Sequence, residues 1–157
     1  MADVPTKMLY GTAQTVINSA VDVAAGNFSA TTTEFNNTND AAVPYAPYAE
    51  AMLEAPDWAA APVAGTVVEL WGVLKDVDGT DDDTDAPSGT AAGGAKYFGS
   101  WVIAAADALQ RRTITISLLG VRKCDFYVKN GTAQNMNNDA GTNLVVKITP
   151  FALGVTV

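Results

Sequence analysis

The chain has 157 residues, 48% of them hydrophobic and only 17% charged, with 17 acidic against nine basic side chains and a net charge of −8. That length suits one domain with its own core, and the apolar share excludes a wholly disordered chain. The acidity argues against binding phosphate backbones, the lack of histidine excludes Ser-His-Asp, Cys-His and histidine-metal chemistry within the chain, and a single cysteine excludes an internal disulfide or a Cys-ligated zinc site.

In chain order, residues 1–10 are expected to form a short N-terminal arm, because Pro5 precedes Thr6–Tyr10 and nothing caps it. Residues 11–157 are expected as a single domain. The first residues lack a basic stretch followed by an apolar one and do not read as a signal peptide. No apolar run approaches the ~18 residues that a membrane-spanning helix needs. Gln14–Asn18, Phe28–Phe35 and Ala49–Leu53 read as faint strands. Ala41–Leu53 is the best helix candidate, but Pro44 and Pro47 interrupt it, and the Ala-rich Val102–Gln110 could make two turns at most. Thr66–Leu74 is apolar on both faces, which predicts a central strand packed on two sides. A strand over Ser100–Ala104 follows. Thr113–Leu118 alternates polar with β-branched or apolar residues, the period of a half-buried strand. Phe126 and Val128 alternate with Asp125, Tyr127 and Lys129 and run into Asn130-Gly131, a hairpin-type turn signal. Leu144, Val146 and Ile148 alternate with Val145, Lys147 and Thr149. About eight short strands with turn-rich connections predict an all-β fold, a two-sheet β-sandwich or jelly roll.

The densest chemical feature is Asp76–Asp85, with six aspartates in ten residues. Clustered carboxylates attract hard cations, which makes Ca²⁺ the one candidate cofactor and Asp76, Asp78, Asp81 and Asp83 its candidate ligands. Gly79 follows Asp78 directly and no Glu closes the loop, so the EF-hand pattern is not met. The preferred reading is a solvated acidic loop that protects a sheet edge. Glu50, Glu54 and Asp57 lie close in sequence, but no substrate-gripping aromatic cluster accompanies them to make a glycosidase. Serines and threonines lack an activating base, and Gly93-Gly94 lacks the Lys-Ser/Thr of a phosphate loop. The expectation is a protein that is not an enzyme. Trp58, Trp71 and Trp101 with Tyr45, Tyr48 and Tyr97 could build a sugar-stacking platform, although Trp71 and Trp101 sit in strand patterns where core filling is the default. Tyr45 and Tyr48, flanked by prolines, read as surface groups suited to a protein neighbour. Cys124 reads as a buried small apolar residue opening a strand.

From residue 49 onward the features follow a recognisable order. Ala49–Leu53 precedes Pro62–Trp71, then comes the acidic loop, then Tyr97–Ser100. Leu118–Asn130 carries Leu-Leu-Gly-Val and Phe-x-Val-Lys-Asn, followed by Thr132-Ala133-Gln134 and by Gly141-Thr142-Asn143-Leu144 running to Thr149-Pro150-Phe151. Over residues 49–151 this resembles the small jelly-roll cement or decoration proteins on the outside of tailed-bacteriophage capsids. Arg122-Lys123-Cys124 departs from it where a proline-containing turn is expected. The resemblance implies a non-enzymatic virion structural protein, made in the host bacterial cytoplasm. It would bind the outer capsid surface as a homodimer or homotrimer and bridge subunits of the major capsid protein, with neither nucleic acid nor membrane as partner. On that basis Lys7, Met8, Leu9, Tyr10, Tyr45 and Tyr48 are the candidate capsid or subunit contacts. The alternatives are a carbohydrate- or receptor-binding β-sandwich module of a phage tail, and a tail-tube or connector subunit.

Overall fold

The computed structural model describes residues 6–29, 33–38, 43–75, 85–136 and 142–155. They form nine strands and no helix: β1 (Thr6–Tyr10), β2 (Gln14–Ser19), β3 (Phe35–Asn36), β4 (Tyr48–Ala55), β5 (Val67–Lys75), β6 (Lys96–Val102), β7 (Gln110–Ser117), β8 (Lys123–Asn130) and β9 (Leu144–Val155). One antiparallel sheet has the order β1-β9-β4-β7, with β2 also paired to β9, and the second has the order β3-β8-β5-β6. The chain passes from one sheet to the other at every connection from β2 onward except β5 to β6. The result is the expected all-β sandwich of two facing sheets.

Alternation builds the core. On β4, Ala49, Ala51, Leu53 and Ala55 point inward, and on β8, Cys124, Phe126 and Val128 do the same. Val146 and Ile148 on β9 and Val68 and Leu70 on β5 complete the apolar layer. Trp101 joins the layers: its buried indole N–H donates to the Ala51 carbonyl in the opposite sheet at 3.0 Å. Such a bond removes the penalty of burying the one polar group on a large apolar ring. Phe126 stands edge-on to Phe35 and Phe98, with centroids 5.7 and 5.1 Å away. A Cβ at Gly72 would sit 2.5 Å from Cys124 Sγ and 2.8 Å from Phe98 Cε2, so this strand position has room only for glycine.

Several expectations change. Asn130-Gly131 does not close a hairpin, since β8 and β9 lie in different sheets. Asn130 is buried and holds the departing loop instead. Its amide donates to the Val23 and Gln134 carbonyls, and its Oδ1 accepts from the Thr132 backbone N–H and hydroxyl. Val102–Gln110 is not helical beyond the end of β6. The Gln110 carboxamide bonds the Ala104 N–H and the Ala104 and Ala106 carbonyls, taking groups that a helical turn would use. Phe28–Phe35 is not one strand: Phe28 makes a lone bridge to Lys129, Thr33 and Glu34 lie outside any strand, and β3 opens at Phe35. β5 is central in its ladder, as expected, with Val68, Leu70 and Gly72 buried on the inner face and Glu69 and Trp71 half-buried beside buried Val73 on the other.

Candidate functional site

The first and last strands create an exposed apolar face. β9 is 12 residues long, and β1 and β2 lie end to end along one of its edges. β2 covers Leu144–Ile148 and β1 covers Phe151–Val155. Pro150 falls at the junction. Its carbonyl accepts from Gly11 N–H at 2.8 Å on that edge, so its missing N–H falls in the gap between the two short strands, where no ladder bond is lost. On the other edge, β4 stops at the Tyr48–Phe151 pair. Beyond it, β1 and the end of β9 continue as a two-stranded ribbon, and among the described residues no strand pairs with Ala152–Leu153-Gly154 from that side. The segment expected as an arm is thus, from Thr6 on, an edge strand of this ribbon.

Register places the ribbon's side chains. Met8 pairs with Leu153, and Tyr10 with Phe151, which pairs in turn with Tyr48. These residues share the outer face of the five-stranded sheet. Phe151 lies under both tyrosines, with ring centroids 5.7 Å from each and the Tyr48 ring nearly parallel at 26°. Around it Leu153 is 66% exposed, Tyr10 48%, Met8 45% and Tyr48 39%. The Tyr10 hydroxyl donates to Glu50 Oε1 at 3.1 Å, fixing the ring at the polar border. Partial desolvation and the adjacent Glu50 carboxylate raise the Tyr10 phenol above its ordinary pKa, so it stays a neutral donor.

Of the six candidate contact residues, the structure brings Met8, Tyr10 and Tyr48 together on this face. Lys7 and Leu9 alternate to the opposite side of the ribbon, where Leu9 lies across Gly154. Tyr45 stands in the turn before β4 with φ 55°, and the Arg122 guanidinium lies 5.7 Å from its ring centre. Phe151 and Leu153 complete the face and were not among the expected contacts. The alternation of Leu144–Thr149 continues through both, but Pro150 disguises it.

The second sheet also carries an outer cluster. Trp71 is half-buried there, not in the core, whereas Trp58 and Trp101 are buried. Phe28 and Tyr97 flank Trp71 edge-on at 5.9 and 5.5 Å. The basic residues that cluster in sequence separate in space. Arg111 pairs with Glu54 and Arg112 bonds Val102 O at the start of β7, while Arg122 and Lys123 follow its other end, Lys123 pairing with Glu34. The candidate calcium ligands Asp76, Asp78, Asp81 and Asp83 lie outside the described residues. No group of three or more metal-ligating side chains occurs among the described residues. No protein-family model, curated protein or solved structure matches the chain.

Proposed function

We propose that this chain is a capsid cement or decoration protein of a tailed bacteriophage, a non-enzymatic virion component that bridges neighbouring major capsid subunits. The observation that carries the reading is the face made by Met8, Tyr10, Tyr48, Phe151 and Leu153. It presents aromatic and aliphatic anchors on a ribbon with a backbone edge that no strand among the described residues pairs. An apolar surface beside an open strand edge invites protein contact, because edge N–H and C=O groups gain partners as side chains leave water. Tyrosine is enriched among residues that dominate interface energies. The strand orders 2-9-4-7 and 3-8-5-6 support a jelly-roll reading of the sandwich, with β1 added beside β2. In this reading the protein acts as a homo-oligomer, and several modest contacts per oligomer sum to firm attachment on the lattice.

The test is copy number per particle, by quantitative mass spectrometry of purified virions, together with reconstitution on shells that lack the protein. A count comparable with the major shell subunit supports the reading. A count of a few to a few dozen assigns the protein to the tail, and its absence from the particle overturns a virion role. Leu153→Asp places a charge in the centre of the proposed contact and is expected to weaken shell binding by at least about tenfold without unfolding the protein, since the side chain is mostly exposed. Unchanged binding of Leu153→Asp and Met8→Asp removes this face from the contact.

A further inference from the structure

We infer that the outer face of the four-stranded sheet carries a binding site for a neutral saccharide, built on Tyr97 and Trp71 and flanked by Glu69, Lys129 and Ser100. A local irregularity in the β5–β6 ladder shapes this face. β5 and β6 pair in register from Val67–Val102 to Leu70–Gly99, and then Trp71 pairs with Tyr97, leaving Phe98 as the extra residue of a bulge. Without it, Phe98 would share the outer face with Trp71 and Tyr97 would turn inward. With it, Phe98 packs into the core against Phe126, and Tyr97 emerges beside Trp71, 54% exposed. Bulges are over-represented at sheet edges, where β6 lies, and next to active sites, where they re-aim a side chain.

The re-aimed ring meets a wall already fixed in place. Trp71 donates its indole N–H to Glu69 Oε2 at 2.9 Å. The Lys129 ammonium lies 6.0 Å from the Trp71 ring centre and 5.7 Å from that of Phe28, and reaches Glu69 at 3.9 Å. Tyr97 stands at 67° to Trp71, so the two rings form a corner and not a flat shelf. Rings held this way lose little freedom when a ligand docks. The polar groups define the ligand's chemistry. Glu69 only accepts and Lys129 only donates, while Ser100, opposite Glu69 in the ladder, does both. Their charges cancel, which favours a ligand with no net charge. A molecule with an apolar face for the rings and hydroxyls that both donate and accept meets all of these at once, and a pyranose is such a molecule. A lipid chain would leave the polar groups unpaired, and an ionic ligand would compete with one member of the Glu69–Lys129 pair.

This inference does not depend on the shell-docking face, which lies on the other sheet. The experiment is a titration of the full chain with gluco-, galacto-, manno- and N-acetylglucosamine oligosaccharides, followed by two-dimensional NMR of the tryptophan indole N–H signals. The expected result is a saturable shift of the Trp71 signal with at least one series, while the buried Trp58 and Trp101 signals stay still. Tyr97→Ala should weaken that binding about tenfold or more with an unchanged melting temperature, and Glu69→Gln should weaken it as well. Leu153→Asp should leave it untouched, which separates failure of this site from failure of the docking face. Still signals with all four series, or an equal shift in Tyr97→Ala, overturn the inference.

Discussion

Cys124 shows how much a single buried residue can reveal. It is fully buried on β8, with its sulfur filling the space that Gly72 leaves open on the neighbouring strand. Burial first, and the neighbouring Asp125 carboxylate second, push the thiol far above its ordinary pKa, with Lys75 and Lys96 pulling weakly the other way. A folded-state pKa raised above the unfolded one gives stability that is intact below the unfolded value and is lost as pH rises beyond it. An unfolded cysteine ionises near ~8.5, so above that pH the native state forgoes a proton release that the unfolded state gains, at roughly 1.4 kcal/mol per pH unit. Urea melts between pH 8 and 10.5 are expected to lose stability more steeply for the natural chain than for Cys124→Ala, and parallel slopes would refute this. The same burial predicts that thiol reagents label Cys124 only as fast as the protein opens. Cys124 was legible in advance as a small apolar residue at a strand start, but the glycine facing it was not. Gly72 sits inside an uninterrupted apolar run, and nothing in that run says that a sulfur and a Phe98 ring converge on its α-carbon.

At the scale of elements, alternation decided what could be read. β7 and the first half of β9 declare themselves because one face is more buried than the other, so polar and apolar residues alternate, and β8 does so because Lys123, Asp125 and Lys129 on its half-buried outer side alternate with buried Cys124, Phe126 and Val128. The sandwich follows from the number and shortness of such runs. Elements whose partners determine them were obscure. Asn130-Gly131 has the residue types of a tight hairpin, yet Gly131 lacks a positive φ, and the Asn130 side chain ties the loop to the Val23 carbonyl, far away in sequence. The Phe98 bulge was equally invisible, because alternation assigns faces on the premise that no residue is skipped. The apolar face was half legible: Tyr48 read as a surface group and Met8 and Tyr10 as part of an arm, while Pro150 hid the continuation of β9 to Leu153. The ribbon's isolation has a dynamic consequence. A two-stranded ribbon paired on one side has marginal stability of its own. Amide hydrogen exchange is therefore expected to be at least about a hundredfold faster in Lys7–Leu9 than in Ala51–Leu53 of β4, which is paired on both edges. Equal protection would mean that the free chain already covers the ribbon, for instance with a second copy.

For the whole molecule, the apolar ribbon must be weighed against the charge. A chain at −8 repels its own copies at neutral pH, and that repulsion extends over ~30 Å in about 0.01 M salt but only ~3 Å in about 1 M salt. Apolar attraction between Met8, Tyr10, Tyr48 and Leu153 surfaces acts only at contact and is not screened. The two terms therefore respond in opposite senses to ionic strength. If copies associate through the ribbon, raising salt removes the opposing term and leaves the favourable one, so self-association should tighten. If they associated through ion pairs such as Arg111–Glu54 rearranged between copies, salt would loosen it. Sedimentation equilibrium across that range distinguishes the two. The expected outcome is a monomer at low salt giving way to a discrete oligomer as salt rises, with Leu153→Asp monomeric throughout. Under the proposed shell role, a chain that stays monomeric in all conditions would have to hold on the lattice by its own contacts in each copy, without the gain in effective concentration that joined copies provide. Shell occupancy would in that case fall in simple proportion to free protein on dilution, whereas an oligomer anchored at several points resists dilution until its last contact opens.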